Sequence, residues 1–288
     1  MRHALSELST GPVRSGKTVL SAVGDVVREL GCGRAIVIHD ESEMTRQALE
    51  WLTVSLRKSS IQFRPVEVAI PVHTNQSLLD ARTELSALLG GLVITIGAPA
   101  TMSLGKLVAV DATGGRPPSG DLAGALTRQP LPHIAIPTGL WPPAEGTSVL
   151  EIDVDGFGFD DKVRFEDSRL RPVAVIDARV HSVHDAERLD TASRQALVVA
   201  ACAAANPDTP LDQRTWALAA AHALTAPGIA TNLDAQERVG LRAAVSLAAA
   251  SHPDFEICQR CAAGARLWAD EDADSPAIAC LRQALLRT

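Results

Sequence analysis

The chain contains no tyrosine, and only 5 phenylalanines and 4 tryptophans among its 288 residues. Single-strand nucleic-acid sites stack bases on aromatic side chains, so this scarcity argues against such a platform. A surplus of positive charge is also missing. Lys and Arg total 27 against 34 Asp and Glu, giving a net charge of −7 and a pI near 5.6. A general nucleic-acid binder needs a basic face, so no nucleic-acid partner is expected. No apolar run reaches the ~18 residues that span a bilayer. The opening Met1-Arg-His-Ala-Leu-Ser-Glu lacks the apolar core of a signal peptide. Neither a membrane partner nor export is therefore expected. Five scattered cysteines read as reduced cytoplasmic thiols, not as a disulfide frame.

What is present is core-forming material: 46% of residues are hydrophobic, and the length allows two domains. Residues 18–30 carry helical spacing that ends at Gly31-Cys-Gly33. An apolar strand follows at 35–39 and closes on Asp40. A helix over 43–57, a strand over 62–70, a helix over 78–89 and a strand over 92–96 continue the alternation. Residues 113–131 are rich in Gly, Pro and Ser and read as a loop, and 134–136 and 173–177 read as further strands. Alternating strands and helices imply a parallel sheet covered by helices. Beyond about residue 186 strand signals vanish and Ala-rich helical segments take over. The expected organisation is an α/β dinucleotide-binding-like domain over 1–183, followed by an all-α domain over 184–288.

The stretch Leu92-Val-Ile-Thr-Ile-Gly97-Ala-Pro-Ala-Thr101-Met-Ser-Leu-Gly-Lys106 has a strand–turn–helix layout. Such a layout aims backbone N–H groups at an anion. Here the turn is poor in glycine, and Pro99 has no N–H to donate. A second phosphate motif occurs at Gly11-Pro-Val-Arg-Ser-Gly16-Lys17-Thr18, which fits the P-loop pattern. No buried strand is evident before Gly11, so the alternative is a turn that opens the first helix. Asp40, at a strand end, suits either a ribose-binding acid or a helix cap in Asp40-Glu-Ser-Glu. Cys258 and Cys261, with His252 and Cys280 nearby, fit either zinc or a pair of small buried residues on one helix face. His181, His184 and His222 read as packing or surface residues.

Taken in order, these segments resemble the iron-containing alcohol dehydrogenase family, within the dehydroquinate-synthase-like fold, with Thr101-Met-Ser-Leu-Gly-Lys106 close to its maleylacetate reductase branch. The strand ending at Asp40, the turn from Gly97 to Lys106, Pro132-His-Ile-Ala-Ile-Pro137-Thr138, Leu170-Arg-Pro172 through Asp177, and Ala205-Asn206-Pro207 carry the likeness. The resemblance implies that Asp40, Gly97, Thr101, Lys106, Thr138 and Lys162 would hold NAD, as a weak or vestigial set. The family takes a metal from an Asp and a His four residues later on the first long helix of its second domain. Those places fall on Thr191 and Gln195, or one residue earlier on Asp190 and Arg194. Neither pair suits a divalent metal, and 251–288 offers no further histidine pair, so no metal and no catalytic residue are expected. The helical domain is expected to be shortened, and Trp141-Pro-Pro143 is expected to fill the cleft.

The resemblance and its departures together imply a non-catalytic subunit. Its expected partner is a homologous full-length dehydrogenase, or a second copy, paired through the nucleotide domain. It would help bind that enzyme's substrate, for example a ribosomal peptide precursor of the daptide class in natural-product biosynthesis. The alternatives are a metal-independent NAD(H)-dependent reductase of the maleylacetate reductase type and a P-loop nucleotide-binding protein using Lys17 and Thr18.

Overall fold

Four apolar segments rich in β-branched residues form the centre of one parallel sheet. They are β2 (Arg34–Asp40), β4 (Leu92–Gly97), β5 (His133–Pro137) and β8 (Val173–Asp177). The sheet is completed by β1 (Val13–Gly16) and β3 (Gln62–Val68) at its two edges, in the order β1-β8-β5-β4-β2-β3, with every pairing parallel. The computed structural model describes residues 13–69, 74–114, 126–139, 144–153, 162–181 and 196–204, together with positions 211, 214, 215, 217, 218, 221, 234, 239 and 242.

Helices cover both faces of the sheet. On one face, Val23 and Val27 of α1 (Val23–Glu29) and Leu52 and Leu56 of α2 (Glu43–Lys58) pack on Val37, Ile94, Ile136 and Val175. On the other, Leu85 of α3 (Thr74–Ala87) and Leu104 and Val108 of α4 (Pro99–Asp111) pack on Ile36, Ile38 and Val93. Successive strand residues point to opposite faces, so a strand covered on both sides reads as an unbroken apolar run. Each fully buried Leu, Ile or Val contributes on the order of 1.5–3 kcal/mol. Ser42 caps α2 by accepting the Thr45 N–H at 3.3 Å, and Gly31, at φ +74°, follows α1.

The expected α/β domain with a parallel sheet is present. Residues 196–204 beyond it are helical. The boundary expected at 183/184 lies outside the described residues, as do Trp141, His184, Asp190, Thr191, Arg194, Gln195, His222, Cys258 and Cys261. No helix among the described residues is long and apolar enough to cross a membrane.

Three features depart from the sequence reading. Helix α3 begins at Thr74, earlier than its apolar spacing suggested. An antiparallel hairpin of β6 (Val149–Asp153) and β7 (Lys162–Glu166) follows β5. Most consequentially, residues 13–16 of the P-loop match are strand β1, hydrogen-bonded to β8 with Val13 beside Ala174 and Gly16 beside Asp177. A ladder strand cannot wrap a phosphate. Lys17 and Thr18 instead lead into a 3-10 turn at Val19–Ala22, whose Leu20 N–H is taken by the Asp177 carboxylate at 3.0 Å. The P-loop reading is thereby overturned.

Helix α4 lies close on β4 and β5 because residue 105 is glycine. A Cβ there would sit 2.2 Å from Thr95 Cγ2 and 2.9 Å from His133 Nε2, both on buried side chains. Gly105→Ala is expected to destabilise the protein by about 1–3 kcal/mol, the overpacking cost outweighing the gain in helix propensity. Urea unfolding measures this, and an unchanged or higher midpoint would show that the helix has room to move.

Candidate functional site

The chain leaves β2 through α2 for β3 on one side, and leaves β4 through α4 for β5 on the other. The direction of winding therefore reverses between β2 and β4. Open α/β sheets place their ligand crevice at the carboxyl ends of such a strand pair. Asp40 ends β2 and Gly97 ends β4, so two of the residues read from the sequence meet at the switch point.

The Asp40 side chain is buried there, at 2% exposure. Its Oδ1 accepts the Ser42 N–H at 3.1 Å and the Thr45 hydroxyl at 2.7 Å. Its Oδ2 crosses the crevice and accepts the Ala98 N–H at 2.8 Å. The carboxylate can lie on the turn because residue 97 has no side chain. A Cβ on Gly97 would fall 2.0 Å from Asp40 Oδ2, and the Gly97 φ of +145° is itself unfavourable for other residues. The helix-cap alternative for Asp40 is met in part: Ser42 is the cap, and Asp40 braces it.

Few donors remain at the N-terminus of α4. Ala98 has no capping side chain, and Pro99 occupies the first turn. The helical ladder starts with Met102 N–H on Ala98 O at 3.2 Å, leaving the Ala100 and Thr101 N–H groups without a helical acceptor. Thr101 is fully buried, and its Oγ1 has no hydrogen-bond partner. That oxygen lies 3.1 Å from where a Gly97 Cβ would be, which places it against the turn. An unpaired buried hydroxyl costs roughly 1–3 kcal/mol. Thr101→Val, which keeps the shape, is expected to raise stability by about 1 kcal/mol. A fall in the urea midpoint would mean that the hydroxyl has a partner.

Thr138 follows β5 and joins the same place, donating its N–H to Gly97 O at 3.1 Å. Lys162 opens β7, opposite Asp153 in the hairpin register; its side chain lies outside the described residues.

Lys106, on the same helix as Thr101, is turned to a different task. Its side chain is among the largest fully buried ones. Its Nζ donates to Ala144 O at 3.0 Å, Thr147 Oγ1 at 3.0 Å and Val149 O at 2.7 Å. Three N–H groups meet three acceptors, so the ammonium is a strut between α4 and residues 144–149. Burial pushes its pKa down to about 7, against the opposing pull of the Glu145 carboxylate. Glu145 is fully buried and pairs with Arg242 at 3.0 Å. His133 sits close by, its Nε2 2.9 Å from Thr95 Oγ1. Burial, reinforced by the Lys106 charge, lowers its pKa to about 3 and keeps the imidazole neutral.

The structure thus gathers Asp40, Gly97, Thr101 and Thr138 at one crevice and commits Lys106 elsewhere. Sequence reasoning missed Thr45, Glu145, Thr147 and Arg242. Only Thr45 had a local signal, lying three residues after the capping Ser42. Among the described residues no group of three or more His, Cys, Asp or Glu is placed to hold a metal ion.

Comparison with known proteins agrees with this architecture. Residues 11–178 match the iron-containing alcohol dehydrogenase family model. Among solved structures, an iron-containing alcohol dehydrogenase from Thermococcus thioreducens shares 14% identity at a TM-score of 0.70, over 82% of this chain and 64% of that one. Sulfoacetaldehyde reductase from Bifidobacterium kashiwanohense, solved in complex with NAD+, shares 16% identity at 0.62, over 84% and 66%. Maleylacetate reductase from Agrobacterium tumefaciens shares 20% at 0.61, over 82% and 62%. The chain spans less than two thirds of the length of each of these three. No curated protein matches the sequence. The family match covers more than half of the chain, which belongs to the iron-containing alcohol dehydrogenase family.

Proposed function

We propose that this member of the iron-containing alcohol dehydrogenase family is a non-catalytic subunit. It works bound to a homologous full-length dehydrogenase and helps hold that enzyme's substrate. One observation carries the reading: the acid that would meet a ribose and the N–H that would meet a phosphate are bonded to each other, Asp40 Oδ2 to Ala98 N at 2.8 Å. A dinucleotide needs both groups free. Asp40 is buried with both oxygens engaged, Pro99 offers no N–H, and the Lys106 ammonium has none left. The residues at the crevice therefore do not fit a bound dinucleotide. At the metal-site positions implied by the family resemblance, Thr191 and Gln195 or Asp190 and Arg194 are a poor donor set for a divalent cation.

The competing reading is an NAD(H)-dependent reductase of the maleylacetate reductase type. It is favoured by the shared fold and by the switch-point crevice itself. It requires Asp40 to release the turn so that ribose and phosphate can enter.

The two are separated by purifying the chain alone and together with the full-length homologue of its host. The partner reading expects a stable mixed complex in light-scattering chromatography, with no NAD(P)H oxidation by the isolated chain across a panel of aldehydes and ketones. Turnover by the isolated chain, without complex formation, would establish the reductase.

A further inference from the structure

We propose that the Asp40 carboxylate is a resident anion: it occupies the anion seat at the N-terminus of α4 and closes it to phosphate groups. The crevice is then self-blocked, and its anion site is latent. This rests on the non-catalytic reading above, and it adds what holds the site shut and what ligand class would enter once it is opened.

Four features of the turn converge. The Ala98 N–H points at Asp40 Oδ2 from 2.8 Å. Gly97 has no Cβ, and its absence is what lets the carboxylate reach the turn. The Thr101 hydroxyl is buried against the same turn without a partner. Helix α4 runs for 13 residues, long enough for its aligned peptide dipoles to favour negative charge at this end. A carboxylate on a helix N-terminus satisfies that field as a phosphate would. Its charge and volume together repel a second anion.

Taking the carboxylate away frees the Ala98 N–H. It joins the Ala100 and Thr101 N–H groups, the unpaired Thr101 O–H, and the Ser42 N–H and Thr45 hydroxyl that Asp40 Oδ1 had engaged. Such a set suits a phosphate or diphosphate group. The turn is open to it from outside, since Ala98 and Pro99 are half-buried and Ala100 is exposed.

The test uses inorganic pyrophosphate as the probe, titrated calorimetrically at low ionic strength into the wild type, Asp40→Ala, Asp40→Asn and the double variant Asp40→Ala/Thr101→Val. Asp40→Asn removes the charge at constant size and is the safer variant to fold. The proposal expects Asp40→Ala to bind pyrophosphate at least about 30-fold more tightly than the wild type. Asp40→Asn should gain by a smaller factor, and adding Thr101→Val should remove about fivefold or more of the gain. Far-UV circular dichroism and a cooperative melt confirm folding. The proposal is overturned if folded Asp40→Ala or Asp40→Asn binds no better than the wild type. It is overturned equally if neither variant folds, because Asp40 is then a structural brace alone. Failure here leaves the non-catalytic reading standing; that reading fails instead if the wild type itself binds NADH.

Discussion

Lys106→Ala should lower the melting temperature by on the order of 10 °C. The substitution removes three hydrogen bonds from a fully buried group and leaves Ala144 O, Thr147 Oγ1 and Val149 O facing a void. Breaking a buried charged cluster and opening a cavity cost roughly 3–5 kcal/mol together, and each kcal/mol moves a chain of this size by about 2–4 °C. Lys106→Met fills most of the void but restores none of the three hydrogen bonds, so it should recover only part of the loss. The pH dependence has a definite sign. The folded-state pKa is near 7 and the ordinary value is 10.5. Between these values the unfolded chain keeps a proton that the folded chain has released. The contribution of Lys106 to stability therefore rises with pH across that window. Below it, the charged ammonium makes its three hydrogen bonds at the cost of burying a charge. Lys17, Lys58 and Lys162 and five cysteine thiols also titrate in or near this window, so the comparison with Lys106→Met, which keeps all of them, isolates the Lys106 contribution. Urea midpoints from pH 6 to 10 should rise less in Lys106→Met than in the wild type. Parallel profiles would place the Lys106 pKa at its ordinary value. A melting temperature within a degree or two of wild type for Lys106→Ala would contradict the strut itself.

Breaking one side of the Glu145–Arg242 pair should be as costly, and breaking both should be cheaper than the sum. Glu145 is fully buried, and the Arg242 side chain is only 6% exposed. Removing either partner takes the ion-pair contact from a buried charge, at a cost of about 3–5 kcal/mol. The expected result of a double-mutant cycle with Glu145→Gln and Arg242→Met is a coupling energy of at least about 1 kcal/mol. Lys106 belongs to the same cluster. Glu145 raises its pKa, so Glu145→Gln should also move the Lys106 titration to lower pH. Urea unfolding of the four proteins measures the coupling, and additive single effects would show that the pair contributes nothing as a pair. The pair also matters for architecture, since Arg242 lies 97 residues beyond Glu145 and closes on the 3-10 turn at Ala144–Gly146.

Much of the sheet was legible because burial on both faces writes strands as unbroken apolar runs, as in β2, β4, β5 and β8. Strand β1 was not, because Val13-Arg-Ser-Gly16 carries one large apolar residue. Its place is set by pairing with β8, a partner about 160 residues away in sequence, and a motif match drew attention to a loop instead. The β6–β7 hairpin carries alternation in Val149, Glu151 and Asp153 against Leu150 and Ile152, a weaker signal than a buried parallel strand. At the crevice, the residue types at Asp40 and Gly97 followed from strand ends and turn chemistry. Their consequence did not, because the bond from Ala98 to Asp40 joins positions 58 apart in sequence. Lys106 shows the limit of assigning roles by resemblance: its position was legible, but its three acceptors lie 38 to 43 residues further along the chain.

The proposed closure of the crevice by Asp40 leaves no seat for a dinucleotide. Titration of the wild-type protein with NADH, followed by nicotinamide fluorescence with NADPH in parallel, tests this closure. No saturable signal is expected below about 1 mM for either nucleotide. Saturation at micromolar NADH would contradict it, because Asp40 would then have to leave Ala98 for a ribose.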